Sequence, residues 1–345
     1  LQPGVGGAER AEVRREADVR FDQRLLLPRA ELVSVDASRA AQALSDLRAD
    51  PDVAFAERDR VISAFSDDEY FSRQWALDES NALANIRAVP AWTSALGAGV
   101  VIAVLDNGVQ LDHPDLANQI YANAGESGAG RESNGLDDDG NGFVDDWRGW
   151  DWVGGDNNPG AGTDSHGTHV AGTAAAQRDN VIGVAGVAPS AKLLALRVLG
   201  GSTGVLSDLI SAIAYAGRQG VKVANMSLGG EALSVSLRSA IERYPNTLFV
   251  AAAGNDGIDL DLPGNVSSPC EEESANVLCV ASSTRLAVPA SSSNYGAAAV
   301  DIFAPGESIA STVIGGYGEM SGTSMATPQV AGAAALLASA EPSLT

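Results

Sequence analysis

Four short runs constrain this chain most: Gly99 to Leu105, Leu193 to Leu199, Val221 to Leu228 and Leu248 to Ala253. Each places apolar residues in succession instead of alternating them with polar ones. That pattern suits parallel strands buried on both faces. Helical stretches are expected between and after them, at His166–Ala176, Val205–Gln219, Leu233–Tyr244 and Thr323–Ala340. Strands alternating with helices predict an α/β domain, with an open, doubly wound and mostly parallel sheet. In such sheets, sites form beyond the carboxyl ends of the strands, so the residues there carry weight.

Ahead of this domain lies a smaller unit. Residues 1–20 are Gly-rich and then charged, and are expected to be poorly ordered. Strands are expected between Arg24 and Val35, a helix over Ala37–Ala49 capped by Asp36, and a strand from Val53 to Ile62. Residues 63–73 read as a linker. All five tryptophans (75, 92, 147, 150 and 152) lie beyond it. The division expected is 1–65, ordered over about 21–62, and 66–345.

Net charge is −22. Residues 1–65 carry 10 basic and 12 acidic side chains, and the remainder 12 and 32. Nucleic acid and anionic membranes are therefore poor partners for the larger domain. Bound cations fit better. No apolar run is long enough to span a bilayer. The two cysteines, Cys270 and Cys279, lie in a loop that also holds Pro269 and three consecutive glutamates. They fit a small surface disulfide or, on the alternative reading, free buried thiols. A disulfide suits an oxidising compartment and hence secretion, with any leader already removed.

The stretch Tyr317 to Pro328 leads through glycines and small hydroxyl residues into Ser324, where an apolar helix begins. A serine there caps the helix or serves as a nucleophile. Asp106 ends the first strand, and His166 opens a helix in His166-Gly-Thr-His169. Taken singly, Asp106 suits a nucleotide ribose, but no G-x-G-x-x-G accompanies it. The two histidines lack the further ligands a zinc site needs. Taken together, the order Asp, His, Ser supplies what acyl transfer demands: a hydroxyl, an imidazole to take its proton and a carboxylate to hold the imidazole. Asn255, just after the fourth strand, offers an amide donor for an oxyanion.

Five segments resemble the subtilisin-like serine proteases, the subtilases. They are Val104–Val109 with Asp112–Leu116, His166–Thr173, Asn225–Gly230, Ala252–Asn255 and Gly322–Pro328. The resemblance implies a secreted serine endopeptidase with Asp106, His166 and Ser324 as its triad, and with Asn255 and the Ser324 N–H as its oxyanion donors. It implies polypeptide substrates held between Ser202-Thr203-Gly204 and Ser227-Leu228-Gly229-Gly230, with Ala252-Ala253-Gly254 as a further wall. Ser267 stands where the family often has glycine at the pocket base, and an apolar or aromatic residue is expected there. The small domain resembles the family's inhibitory propeptide. Its end would lie in the active site, and self-cleavage is expected within Ser63–Phe71. A monomer is expected. Asn107 stands where Ser or Thr is usual. The chain ends 21 residues after Ser324, so further family elements are expected beyond it. Two rivals are an inactive homologue that binds peptides and an α/β hydrolase. The latter would need a G-x-S-x-G elbow and the order Ser, Asp, His.

Calcium is the expected cofactor. Asp137, Asp139, Asn141 and Asp145 alternate in one acidic loop, as hard oxygen ligands would. The start of an EF-hand loop is similar, although Arg148 stands where a bidentate Glu would be. By family resemblance, a second site would join Asp115 to the 177–184 loop, with Asp179 or Asn180 as the ligand there.

Overall fold

The computed structural model describes residues 1–59, 67–77 and 83–344. The chain divides into two compact units, Leu1–Ile62 and Ser63–Thr345.

In the first unit α1 (Gly7–Glu16) precedes an antiparallel pair, β1 (Arg20–Arg24) and β2 (Glu31–Ser34). A 3-10 turn (Ala37–Arg39) then runs into α2 (Ala40–Ala49). The early residues are thus helical, contrary to the disorder expected of them. The Gly6 N–H donates to the Glu9 carboxylate at the helix start. Arg10 and Arg14 reach Glu31 on β2, at 3.5 and 2.5 Å. Val13 and Ala17 are buried. Burial and charge pairing override the Gly-rich composition. The expected strand from Val53 is also absent over residues 53–59, and residues 60–62 lie outside those described. Asp50-Pro51-Asp52 forms a turn held by the Asp50 carboxylate on the Asp52 N–H and by the Val53 N–H on Asp50 O. Part of the expected junction, residues 63–66 of 63–71, lies outside the described residues as well.

The second unit is built on a seven-stranded sheet. Its strands are β3 (Val101–Asp106), β4 (Gly149–Asp151), β5 (Lys192–Arg197), β8 (Val223–Met226), β9 (Leu248–Ala252), β10 (Val277–Ser283) and β11 (Ile302–Pro305). Their order is β11-β10-β9-β8-β3-β5-β4, and every pairing is parallel. Between β5 and β8 lies a two-residue ladder, β6 (Leu199–Gly200) with β7 (Thr203–Gly204). Alternate residues of the central strands enter opposite cores. Ile102 and Val104 join the core that includes Val170, Ala171 and Ala331. Ala103 and Leu105 join the one that includes Ile213, Leu237 and Ile241. After the short α3 (Ala88–Ala91), helices α4 (His166–Ala175) and α7 (Thr323–Ala340) therefore cover one face. Helices α5 (Leu206–Arg218) and α6 (Val235–Glu242) cover the other. This is a doubly wound α/β architecture, preceded in the chain by a small α+β unit. The strand order turns at β3, which lies between β5 and β8. The carboxyl end of β3 is thus the natural place for a site.

Cys270 and Cys279 form a disulfide with Cα atoms 4.7 Å apart. It is not on the surface as expected, because Cys279 belongs to β10 and both residues are buried. Among the described residues, no helix is long and apolar enough to cross a membrane.

Candidate active site

Asp106 is the last residue of β3 and is fully buried; His166 is the first residue of α4. The imidazole Nδ1 lies 2.8 and 3.0 Å from the two Asp106 oxygens. A carboxylate only accepts, so Nδ1 carries the proton and Nε2 is left with a lone pair. The Asn107 N–H also donates to Asp106, at 2.8 Å. The Asn107 side chain has a definite use. Its Oδ1 accepts the Gly167 N–H at 2.9 Å and ties the strand end to the helix start. A Cβ on Gly167 would lie 2.4 Å from Gly108 O, so only glycine allows this approach. Burial lowers the His166 pKa. The charge and hydrogen bond of Asp106 and the charge of Asp164 raise it, and they prevail, leaving it above the ordinary histidine value.

Ser324 is the second residue of α7. Gly322 precedes the helix with φ 146°, a conformation that side chains rarely adopt. The Ser324 hydroxyl donates to Ser227 O at 3.2 Å. Among the described residues, none of the hydrogen bonds joins it to His166. Both nevertheless line one cleft of about 770 Å³. The Ser324 N–H lies in the first helical turn, where backbone donors lack helical partners. Asn255 follows β9, and its Oδ1 accepts the Thr323 N–H at 2.9 Å and the Thr323 hydroxyl at 3.2 Å. Because a backbone N–H only donates, the amide orientation is set and its NH₂ group is the end left for the cleft.

The cleft is lined by Ser202-Thr203-Gly204 on one side and Ser227-Leu228-Gly229-Gly230 on the other, with Asn255 and Ser268. Ala252, Ala253, Gly254 and Ser267 are not on its lining. Ala252, Ala253 and Ser267 are buried. The Ser267 hydroxyl lies behind two glycines, 3.8 and 3.6 Å from where a Cβ on Gly229 or Gly254 would stand.

The acidic loop is arranged differently from the alternating pattern. Glu126, Asp137 and Asp139 bring carboxylate oxygens within 4.8 Å of one another. Glu126 is fully buried, and its Oε2 has no hydrogen-bond partner. A buried carboxylate with one orphaned oxygen, grouped with two more carboxylates, fits a hard cation. Asp145 turns away instead, accepting the Asn134 and Gly135 N–H groups. Asn141 spends its oxygen on the Phe143 N–H and its Nδ2 on Asp139 and Asp146. At the other acidic position, Asp115 accepts from Asn180 Nδ2 at 2.8 Å and from the Val184 N–H at 2.9 Å. Asp179 pairs instead with Arg178 at 2.7 Å, so Asn180 is the residue that faces Asp115.

The other two histidines are structural. His113 accepts the Asp115 N–H at Nδ1, and its Nε2 donates to Gly316 O. The His169 Nε2 lies 2.8 Å from Ile309 O in the core. Sequence reasoning missed Glu126 and the supports from Thr323 and Asn294. No motif marks Glu126 or Asn294, which the fold alone brings to the site; Thr323 lies within the Gly322–Pro328 segment, but its bond to Asn255 shows only in the fold.

Comparison with known proteins agrees with this geometry. The family model described as the subtilase family matches residues 97–345. A protein of Xanthomonas campestris pv. campestris named extracellular protease is 38% identical over 340 residues, 90% of this chain and 56% of that protein. Thermitase of Thermoactinomyces vulgaris is 39% identical over 277 residues, 79% of this chain and 85% of thermitase. A solved structure of proteases from Pseudoalteromonas arctica superposes with a TM-score of 0.68 at 32% identity, covering 82% of this chain and 89% of that one. The chain thus spans little more than half of the Xanthomonas protein but most of thermitase. On these grounds the chain belongs to the subtilase family of serine proteases.

Proposed function

We propose that this chain is a serine endopeptidase in which Ser324 is the nucleophile, His166 the general base and Asp106 the orienting acid. One observation carries the reading. His166, bonded to Asp106, lines one cleft together with Ser324, Asn255 and the backbone segments Ser202–Gly204 and Ser227–Gly230. His166 Nε2 takes the Ser324 proton as Oγ attacks the peptide carbonyl. The Asn255 NH₂ and the Ser324 N–H stabilise the oxyanion. His166 then donates its proton to the departing amine, leaving an acyl-enzyme that water hydrolyses by the reverse steps. Ser202–Gly204 and Ser227–Gly230 bind the substrate as an added strand, over Ala252–Gly254 and Ser267.

Residues 1–65 act as an inhibitory propeptide, removed by self-cleavage within 63–71, and the protein works outside the cell as a monomer. The disulfide and the name of the Xanthomonas relative support the extracellular part. Glu126, Asp137 and Asp139 hold calcium, which would neutralise their mutual repulsion and tie the loop down. A second calcium beside Asp115 and Asn180 completes this reading.

Mass spectrometry of a digested peptide mixture, with labelling by a serine-directed phosphonate, tests the proposal. Cleaved peptides and a label on Ser324 are expected, and Ser324→Ala should stay full-length. The second reading, a peptide-binding homologue without activity, draws on the Ser324 hydroxyl pointing to Ser227 O. Peptide binding with no label after removal of residues 1–65 would favour it.

A further inference from the structure

We propose that Asn294 is a positioning residue for Asn255, setting where the oxyanion donor stands. The inference rests on the hydrolytic reading above and goes beyond it to a residue outside the cleft. Asn255 is exposed and sits on the loop that leaves β9 at Ala252. Thr323 fixes its amide oxygen and accepts the Gly254 N–H at 3.2 Å, but neither bond holds the backbone that follows Asn255.

Asn294 holds the loop from both sides. Its side-chain oxygen accepts the Asp256 N–H at 2.9 Å and the Ile258 N–H at 3.2 Å. Its Nδ2 donates to Ala253 O at 2.9 Å, with Asp256 Oδ2 3.4 Å away. Its own backbone N–H donates to Gly254 O at 2.9 Å. One residue, only 2% exposed, thus binds the chain before and after Asn255. Gly254 has φ 99°, and a Cβ there would lie 2.4 Å from Asn294 Nδ2. The close approach is part of the arrangement.

The clamp is anchored to the sheet. The Ser293 hydroxyl accepts the Ser282 N–H from β10 and donates to Asn294 O. A rigid strand therefore sets Asn294, Asn294 sets the loop, and the loop sets Asn255. An oxyanion donor works only when held close to the position that the developing charge will occupy. Loosening the loop should weaken transition-state binding while the cleft walls still bind substrate, so kcat falls and KM stays.

The experiment is a double-mutant cycle on one peptide substrate: wild type, Asn294→Ala, Asn255→Ala and the pair, with Asn294→Asp alongside. Asn294→Ala should lower kcat by about tenfold with KM within about twofold. Asn294→Asp keeps the acceptor for Asp256 and Ile258 and should recover part of the loss. In the Asn255→Ala background, Asn294→Ala should change kcat by less than about twofold, because the donor it positions is gone. Effects that multiply independently, or a rise in KM alone, would overturn the proposal. If Asn294→Ala does not fold, the same cycle run with Asn294→Asp decides it by the same criterion. A wild type that cleaves nothing and takes no phosphonate would sink the hydrolytic reading and this inference with it. An active wild type with independent effects sinks only the inference.

Discussion

Ser227 and Ser324 exchange hydrogen bonds: the Ser324 hydroxyl donates to Ser227 O at 3.2 Å, and the Ser227 hydroxyl donates to Ser324 O at 2.9 Å. The Ser227 hydroxyl also accepts from the fully buried Asn225 Nδ2 at 2.9 Å. One hydroxyl thus links β8 to the first turn of α7. Ser227→Ala would leave a buried amide donor without its acceptor. It should lower stability by about 1–3 kcal/mol, measured by urea unfolding in a Ser324→Ala background to prevent self-digestion. An unchanged midpoint would show that the link does not matter.

The pH profile follows from His166. A general base must be neutral, so activity rises as pH passes upward through its pKa. That pKa lies above the ordinary 6.5: burial pulls it down, but Asp106 and then Asp164 push it up. The acid limb of kcat/KM should therefore fall above pH 6.5. Asp164→Asn removes one raising charge and should move the limb to lower pH. A limb that moves upward or stays in place would contradict the assignment of His166 as the base.

Calcium should be visible in thermal stability. Glu126, Asp137 and Asp139 repel one another unless a cation or protons intervene. A chelator should lower Tm by about 5–15 °C if calcium is present at 100 or more times its Kd. Glu126→Gln should shrink that drop. An equal drop in the variant would move the relevant calcium elsewhere.

How far the sequence could be read depended on what each segment's own residues dictate. The strand β3 and the helix α7 were legible because an unbroken apolar run and a run of small helical residues admit few structures. The strand β10 was not, since Val277-Leu-Cys-Val-Ala-Ser-Ser283 sits directly behind a loop-like Pro- and Glu-rich stretch. Order and flanking motifs singled out Asp106, His166 and Ser324, but only the fold shows that Asp106 bonds His166 and that His166 and Ser324 line one cleft. The observed acidic cluster departs from the expected one at Asp145. Its φ of 55° breaks the alternation of an extended chain, so Asp146 turns inward to Asn123, Asn141 and Tyr215 in its place. Glu126 joins from a different loop, and no spacing rule reports that.

Charge in the cleft should bias substrate choice. Among the described residues lining it, Asp164 and Glu231 are the carboxylates, and no Lys or Arg lines it. Exposed charge pairs are worth up to about 1 kcal/mol. Peptides with Lys near the cut bond should therefore be cleaved about three- to fivefold faster than otherwise identical peptides with Glu. The preference should fade at 1 M salt, where screening is nearly complete at that range. Equal kcat/KM values for the two peptides at low salt would count against it.

His169 makes folding sensitive to acid in a way that His166 does not. It is fully buried, its Nδ1 has no partner, and burial brings its pKa down to about 4. The unfolded chain binds a proton there near pH 6.5, while the folded one resists until about pH 4. Above pH 6.5 the residue is neutral in both states and costs nothing. As pH falls from 6.5 towards 4, the unfolded state gains protons that the folded state lacks, so stability is lost. By pH 5 the loss from this group is about 2 kcal/mol. The raised pKa of His166 acts with the opposite sign, so total stability cannot isolate the effect. A paired comparison can. In Ser324→Ala protein, unfolding free energies at pH 7 and pH 5 should diverge more with His169 present than in His169→Asn. Equal pH dependence in the two proteins would mean that His169 is already charged in the fold.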